Sequence, residues 1–249
     1  VGFVLYDSSI WCGDELYNYF AQDGRFEVTI FLCLRTDKMK LELIQRAFLY
    51  SRKQFEMRNL NVVDIKNPNA PIPEQDIFIF LTPYFLVLPL ALRPENITAK
   101  TLLVYIPYGF SALNYNVANH MMSRLAWKFF FTSNVALKMY ERLCKVGMPR
   151  GLCSGYAKTD IFFDKNAKFH FDWKMTRPDA KKIIWAPHHS VGGNPLINNA
   201  TFRWNHEFMY EYAKAHPEIS WVVKPHPMLL YKAVKFEVFP SNKALAEYF

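Results

Sequence analysis

Residues 181–190 read KKIIWAPHHS, and residues 221–227 read WVVKPHP. Two short apolar runs, Ile183 to Ala186 and Trp221 to Val223, each end in a cluster of proline and histidine. A run of that length, stopped by turn residues, predicts a buried strand of a parallel sheet. Between them, Phe202, Phe208, Met209 and Tyr212 recur at helical spacing in FRWNHEFMYEYAKAH. The unit is strand, loop, helix, strand. A right-handed crossover of this kind brings both strand ends to one sheet edge, where open α/β sheets bind ligands. His188, His189 and Ser190 leave the first strand at that edge, and Lys224 and His226 leave the second.

Working outward, the rest of the chain alternates in the same way. Strands are expected in GFVLYDSS at the start, FEVTIFLCL, NVVDI, DIFIFLTPY, TLLVYIPYGF, Lys128 to Phe131 and GLCSGY. Helices are expected at about 13–21, from Met39 to Arg58, around Asn116 to Ala126, from Ser133 to Val146, and as a short helix after the last strand within GLCSGYAKTDIFF. Leu41, Ile44, Phe48 and Phe55 form the apolar stripe of the second helix. Ser133 suits an N-cap and Gly147 a C-cap. Such alternation predicts an α/β protein with parallel sheets. The polar segment from Asp164 to Pro178 breaks the pattern, so two α/β domains are expected, 1–170 and 171–249. Only about one further helix fits after WVVKPHP. The second domain is therefore expected to be incomplete, and the sequence a fragment of a longer chain.

Composition narrows the partners. The 249 residues are 51% hydrophobic and 21% charged, which excludes a disordered chain. Aromatic residues make up 17%, which fits thick aromatic cores or deep clefts. Thirty Lys and Arg against 22 Asp and Glu give a net charge of +8, suited to nucleotide diphosphates, phosphopolymers or an acidic membrane face. No sequence-specific nucleic-acid motif accompanies that charge. Cys12, Cys33, Cys144 and Cys153 lack CxxC spacing and read as buried thiols of a reducing compartment. The longest apolar stretch, Ile77 to Leu92, carries Pro83 and Pro89 and is too short to span a bilayer. Phosphate loops of the GxGxxG and GxxxxGK[ST] types are missing, which disfavours a dinucleotide oxidoreductase or a P-loop NTPase.

Site candidates follow from chemistry. His226, between two prolines, can take a proton from a hydroxyl or hold one against a leaving phosphate; its ring can equally cap the turn. Lys224 can offset developing phosphate charge, or simply be solvated. Adjacent residues diverge, so one of His188 and His189 is expected to face the ligand, with Ser190 beside it. The glycines of the following VGGN can bend close to a phosphate. The paired histidines with His226 could alternatively ligate a metal, but no acidic or cysteine partner lies at a matching interval, so no metal is expected. Tyr108 and Gly109 end the strand TLLVYIPYGF, where the phenol can hydrogen-bond an acceptor or pack as a Pro-Tyr turn. Asp7, Ser8 and Ser9 read as a helix-start turn with the serines capping.

The ordered pair IIWAPHHS and WVVKPHP resembles the CDP-glycerol glycerophosphotransferase-like family, and LTPYF and LLVYIPYGF resemble its N-terminal half. These are transferases of the glycosyltransferase-B type, with two Rossmann-like domains, that build teichoic-acid and capsule-like polymers. The resemblance implies transfer of a glycerol-phosphate, or a similar alditol-phosphate, from a CDP-linked donor to a polymer or lipid-linked hydroxyl acceptor. It implies no redox cofactor, and a cytoplasmic enzyme at the inner face of the cell membrane. His226 corresponds to the family's KPHP-type histidine and is the catalytic candidate. Lys224, His188, His189, Ser190, Tyr108 and Gly109 are the substrate-binding candidates. A second family histidine, in a Trp-His-Gly motif, corresponds in position to Pro107-Tyr108-Gly109, so a phenol stands in its place. A nucleotide-sugar glycosyltransferase of the same architecture and a non-catalytic module for anionic polymers or membranes are the alternatives.

Overall fold

Strand runs such as GFVL and TIFLC have no polar face, so they are stable only where both faces of a sheet are covered. The computed structural model describes residues 1–110, 121–144, 150–168, 172–175, 177–193 and 200–249. The chain divides into two compact units, Val1–Ala167 and Lys168–Phe249.

In the first unit, β1 (Gly2–Leu5), β2 (Thr29–Cys33), β3 (Val62–Ile65), β4 (Ile77–Phe80), β5 (Leu102–Tyr105), β6 (Lys128–Phe131) and β7 (Arg150–Cys153) form one sheet. Every neighbouring pair is parallel, in the order β3-β2-β1-β4-β5-β6-β7. The unit is thus a Rossmann-like α/β fold whose strand order reverses between β1 and β4. The helices are α1 (Asp14–Gln22), α2 (Leu41–Glu56), the short α3 (Pro94–Ile97) and α4 (Met122–Leu125), and α5 (Asn134–Leu143). Ser133 caps α5, its hydroxyl accepting from the Ala136 N–H. The expected helix at 116–126 is described only as α4, and Gly147 lies outside the described residues.

Aromatic rings fill this unit. Phe3, Trp11 and Phe55 stack edge to face at 5.2 and 5.6 Å. Phe129, Phe131 and Tyr140 form a second group, with Tyr140 donating its hydroxyl to the Ser123 carbonyl at 3.0 Å. Two sequence expectations need correction here. On α2, Ile44, Phe48 and Phe55 are buried with Ser51, but Leu41 points to solvent at the helix start. Cys12, Cys33 and Cys144 are buried free thiols, whereas Cys153 is exposed at the end of the edge strand β7.

The second unit holds β8 (Lys181–Trp185) and β9 (Ile219–Val223), paired in parallel, with α6 (Phe202–Ala215) between them in sequence. Two helices follow, α7 (Pro227–Lys235) and α8 (Asn242–Tyr248), where one was expected. Val191, Phe202, Leu229, Ala233, Phe239 and Leu245 make its core. The expectation of a buried β8 fails. Ile184 is 60% exposed, because among the described residues β9 is the strand's sole neighbour and the core lies on the Trp185 side. The aromatic stripe of α6 fails likewise: Phe202 is buried, but Phe208 is 63% exposed. Among the described residues, no helix is long and apolar enough to cross a membrane.

Gly2 shows how tightly the interior strand β1 is packed. A Cβ there would lie 2.7 Å from both Phe31 and Phe78, whose rings meet edge to face at 5.4 Å across β1. Gly2→Ala is expected to destabilise the protein by about 1–3 kcal/mol, the usual effect of overpacking. Gly24→Ala, where a Cβ meets nothing within 4 Å, is expected to be neutral or mildly stabilising. Urea unfolding of the two variants checks the contrast.

Candidate functional site

Both strands of the second unit stop at prolines, and their pairing continues one step beyond. Lys224 N–H donates to the Trp185 carbonyl at 2.9 Å, and His226 N–H donates to the Pro187 carbonyl at 3.0 Å. Pro187 and Pro225 have no N–H to extend the ladder. The two strand ends are therefore stitched together at the residues that carry the histidines.

The rings meet. His188 and His189 centroids lie 4.2 Å apart, His189 and His226 4.3 Å, and His188 and His226 5.5 Å. Both members of the His188–His189 pair join the cluster, which corrects the expectation that one of them would turn away. The backbone bends between them, and Val191 N–H returns to the His189 carbonyl at 2.9 Å.

Each ring has its Nδ1 engaged. His226 is the N-cap of α7: Pro227 at the first helical position has no N–H, and Met228 N–H donates to His226 Nδ1 at 3.1 Å. His188 Nδ1 lies 3.0 Å from the Ser190 hydroxyl and accepts from Ser190 N–H at 3.3 Å. Lys232 Nζ lies 3.1 Å from His189 Nδ1. An ammonium only donates, so that nitrogen accepts.

Electrostatics agrees with this arrangement. Burial, then the His226 and His188 rings and the Lys232 charge, pulls His189 down to about 4. Burial, followed by Lys232, also lowers His188. His226 is lowered by burial, then by His188 and Lys232. At neutral pH the rings are uncharged. Among the described residues no group of three or more His, Cys, Asp or Glu side chains is arranged to hold a metal.

The other candidates take different places. Ser190 is 1% exposed, and its hydroxyl accepts from Ala200 N–H at 3.0 Å while facing His188. It orients the ring and is too buried for the direct substrate contact expected of it. Lys224 is exposed, and its ammonium joins no hydrogen bond or ion pair among the described residues. The cation set against the rings is Lys232, which sequence reasoning missed. Its signal was available: Pro227 starts a helix after His226, and that helix carries Lys232 next to the inward-facing Ala233. The glycine loop also differs from expectation. Gly193 adopts φ +86°, and a Cβ there would sit 2.4 Å from Phe236, so its missing side chain serves packing on that ring. Arg203 fastens the same loop, donating to the carbonyls of Val191 and Phe236. Asn194 lies outside the described residues.

Tyr108 and Gly109 belong to the first unit. They line a cavity of about 120 Å³ with Pro83, Tyr84, Phe129 and Thr132, beyond the ends of β4, β5 and β6. Burial, and then the neighbouring Tyr84 and Tyr6, pushes the Tyr108 phenol up to about 12. At neutral pH that phenol is a hydrogen-bonding group and not a base. Asp7, not the serines, caps the turn after β1, accepting from Ser9 N–H at 2.8 Å. Ser8 N–H donates to Ser51 Oγ at 2.8 Å.

The lowered rings carry a stability consequence. In the unfolded chain these histidines take protons near pH 6.5, but in the folded unit they resist until lower pH. Between those values the unfolded state binds more protons, so stability falls as pH falls. The melting temperature is expected to drop from pH 7.5 to 5.5, with a shallower slope in His189→Gln. Calorimetric scans across that range check both; a parent curve flat in pH contradicts the neutral cluster. No family model matches the chain, and a search of curated proteins finds no significant match either.

Proposed function

We propose that the protein is a transferase that moves a glycerol-phosphate, or a related alditol-phosphate, from a CDP-linked donor to a hydroxyl of a cell-surface polymer or its lipid-linked precursor. The observation that carries this reading is the cluster of His188, His189 and His226, stitched together at the ends of two parallel strands with Lys232 against it. A sheet edge is where α/β folds bind ligands, and uncharged N–H groups beside one ammonium suit a pyrophosphate. In the broader reading, the two units form a glycosyltransferase-B pair that works at the inner face of the cell membrane.

The chemistry is a phosphoryl displacement. The acceptor oxygen bonds to the phosphorus bearing glycerol as the bond to the bridging oxygen breaks. CMP leaves with that electron pair, and the hydroxyl proton passes to solvent. His226, with Nδ1 occupied by Met228 N–H, presents a proton to the departing phosphate. That is one of the two roles open to it from sequence; the tautomer disfavours the other, removal of the acceptor proton. Charge stabilisation aimed at the leaving oxygens is the principal contribution asked of the site.

A second reading, a non-catalytic phosphate-binding module, is favoured by one observation. Tyr108, where the resembled family has a histidine, is pushed to about 12 and provides no base. Release of CMP from CDP-glycerol in the presence of a glycerol-phosphate polymer separates the two. His226→Asn is the informative variant, because asparagine retains the N-cap acceptor and loses the ring proton. Transfer predicts CMP release that falls by about 100-fold in this variant at an unchanged melting temperature. CDP-glycerol binding without any CMP release supports the module, and unimpaired release by His226→Asn removes His226 from the chemistry.

A further inference from the structure

Lys232 has no counterpart in the motifs that suggested the transferase, yet it makes the contact that completes the histidine cluster. We infer that Lys232 is a positioning residue: by donating to His189 Nδ1 it fixes that ring as an Nε2–H donor, and so completes a three-imidazole site for a phosphoryl anion of the pyrophosphate class. The inference deepens the proposed function and rests on it for the source of the pyrophosphate.

The argument is one of proton accounting. A neutral imidazole carries a single N–H, and which nitrogen bears it is set by what the other nitrogen accepts. Met228 N–H at 3.1 Å occupies Nδ1 of His226, Ser190 N–H at 3.3 Å occupies Nδ1 of His188, and the Lys232 ammonium at 3.1 Å occupies Nδ1 of His189. The ring proton of all three therefore sits on Nε2. Three rings within 5.5 Å of one another then offer N–H groups and no free lone pair. Such a set cannot ligate a cation without first losing its protons, and it cannot accept a proton without breaking an Nδ1 contact. It can bind an anion.

The charges nearby point the same way. Among the described residues, the groups that act on these rings are the rings themselves and Lys232, with no carboxylate among them. Lys232 is half-buried, held on α7 beside Ala233, whose fully buried side chain packs that face of the helix into the core. The anion would thus meet one fixed positive charge and three uncharged donors. Burial that depresses imidazolium formation has the corollary that binding does not require an acidic pH.

Two readouts test this on the full chain. Two-bond ¹⁵N correlation spectra at pH 7 are expected to show the Nε2–H tautomer for His188, His189 and His226. Calorimetric titration with inorganic pyrophosphate is expected to show binding that weakens at least tenfold in Lys232→Met, with the His189 titration moving upward. Lys232→Arg, which restores a charged donor, is expected to recover most of both effects, and thermal melts establish that the variants fold. An Nδ1–H tautomer at His189, no pyrophosphate binding by the parent, or Lys232→Met binding as tightly as the parent each overturns the inference. Neither readout depends on turnover. Pyrophosphate binding through Lys232 with no CMP release defeats the transfer reading alone, whereas CMP release with an indifferent Lys232→Met defeats this inference alone.

Discussion

The hydrogen bond from His226 N–H to the Pro187 carbonyl is the constraint on which the site depends. Parallel pairing of β8 and β9 aligns the strands, but prolines end both, and turns released at that point would diverge. One bond beyond the ladder keeps the turns together and sets His226 beside the His188–His189 pair. It also positions the start of α7. His226 is at once the end of a strand connection and the N-cap of a helix, so the direction of α7, and with it the reach of Lys232, is inherited from the same bond. Backbone geometry places three rings and an ammonium together without any of them contributing to the apolar core.

What those rings do is decided by their inner nitrogens. The Met228 N–H of the helix start, the N–H of a neighbouring serine and a lysine ammonium are three unrelated donors, and each occupies an Nδ1. A histidine cluster read from sequence suggests a base or a metal site, because it is pictured with free lone pairs. With the lone pairs engaged, the same cluster is a set of donors. Protonating a ring would cost both a hydrogen bond and the desolvation of a charge beside Lys232, so the neutral state follows from geometry and burial together.

Legibility from sequence followed how local the cause is. The strands of the first unit were readable because an apolar run bounded by turn residues has few other stable uses, and each expected strand has a counterpart in the structure. Ser133 was readable for the same reason, since a cap is a short-range device. Burial was less so. Ile184 and Phe208 look like core residues in the sequence and are exposed, because burial depends on what lies across the face. At the site, the approach of the two strand ends followed from the crossover topology, but the joining of both His188 and His189 to His226 and the choice of cation did not. Lys224 was two residues from His226 and drew attention; Lys232 reaches the rings only because α7 turns it there. The role of Gly193 was hidden likewise, since Phe236 is far from it in sequence.

Burial acts on the two units in opposite chemical senses with one result. In the first unit it raises the Tyr108 phenol beside Tyr84, and in the second it lowers the imidazoles beside Lys232. Charging either kind of group would cost solvation, so both remain neutral and retain a proton to share. Neutral donors bind an anion without moving a proton, which leaves its affinity to be set by the few fixed charges present. The Lys232 ammonium, 3.1 Å from His189 Nδ1, acts on the rings at hydrogen-bond range, whereas most of the net charge of +8 carried by the whole chain is screened at the surface.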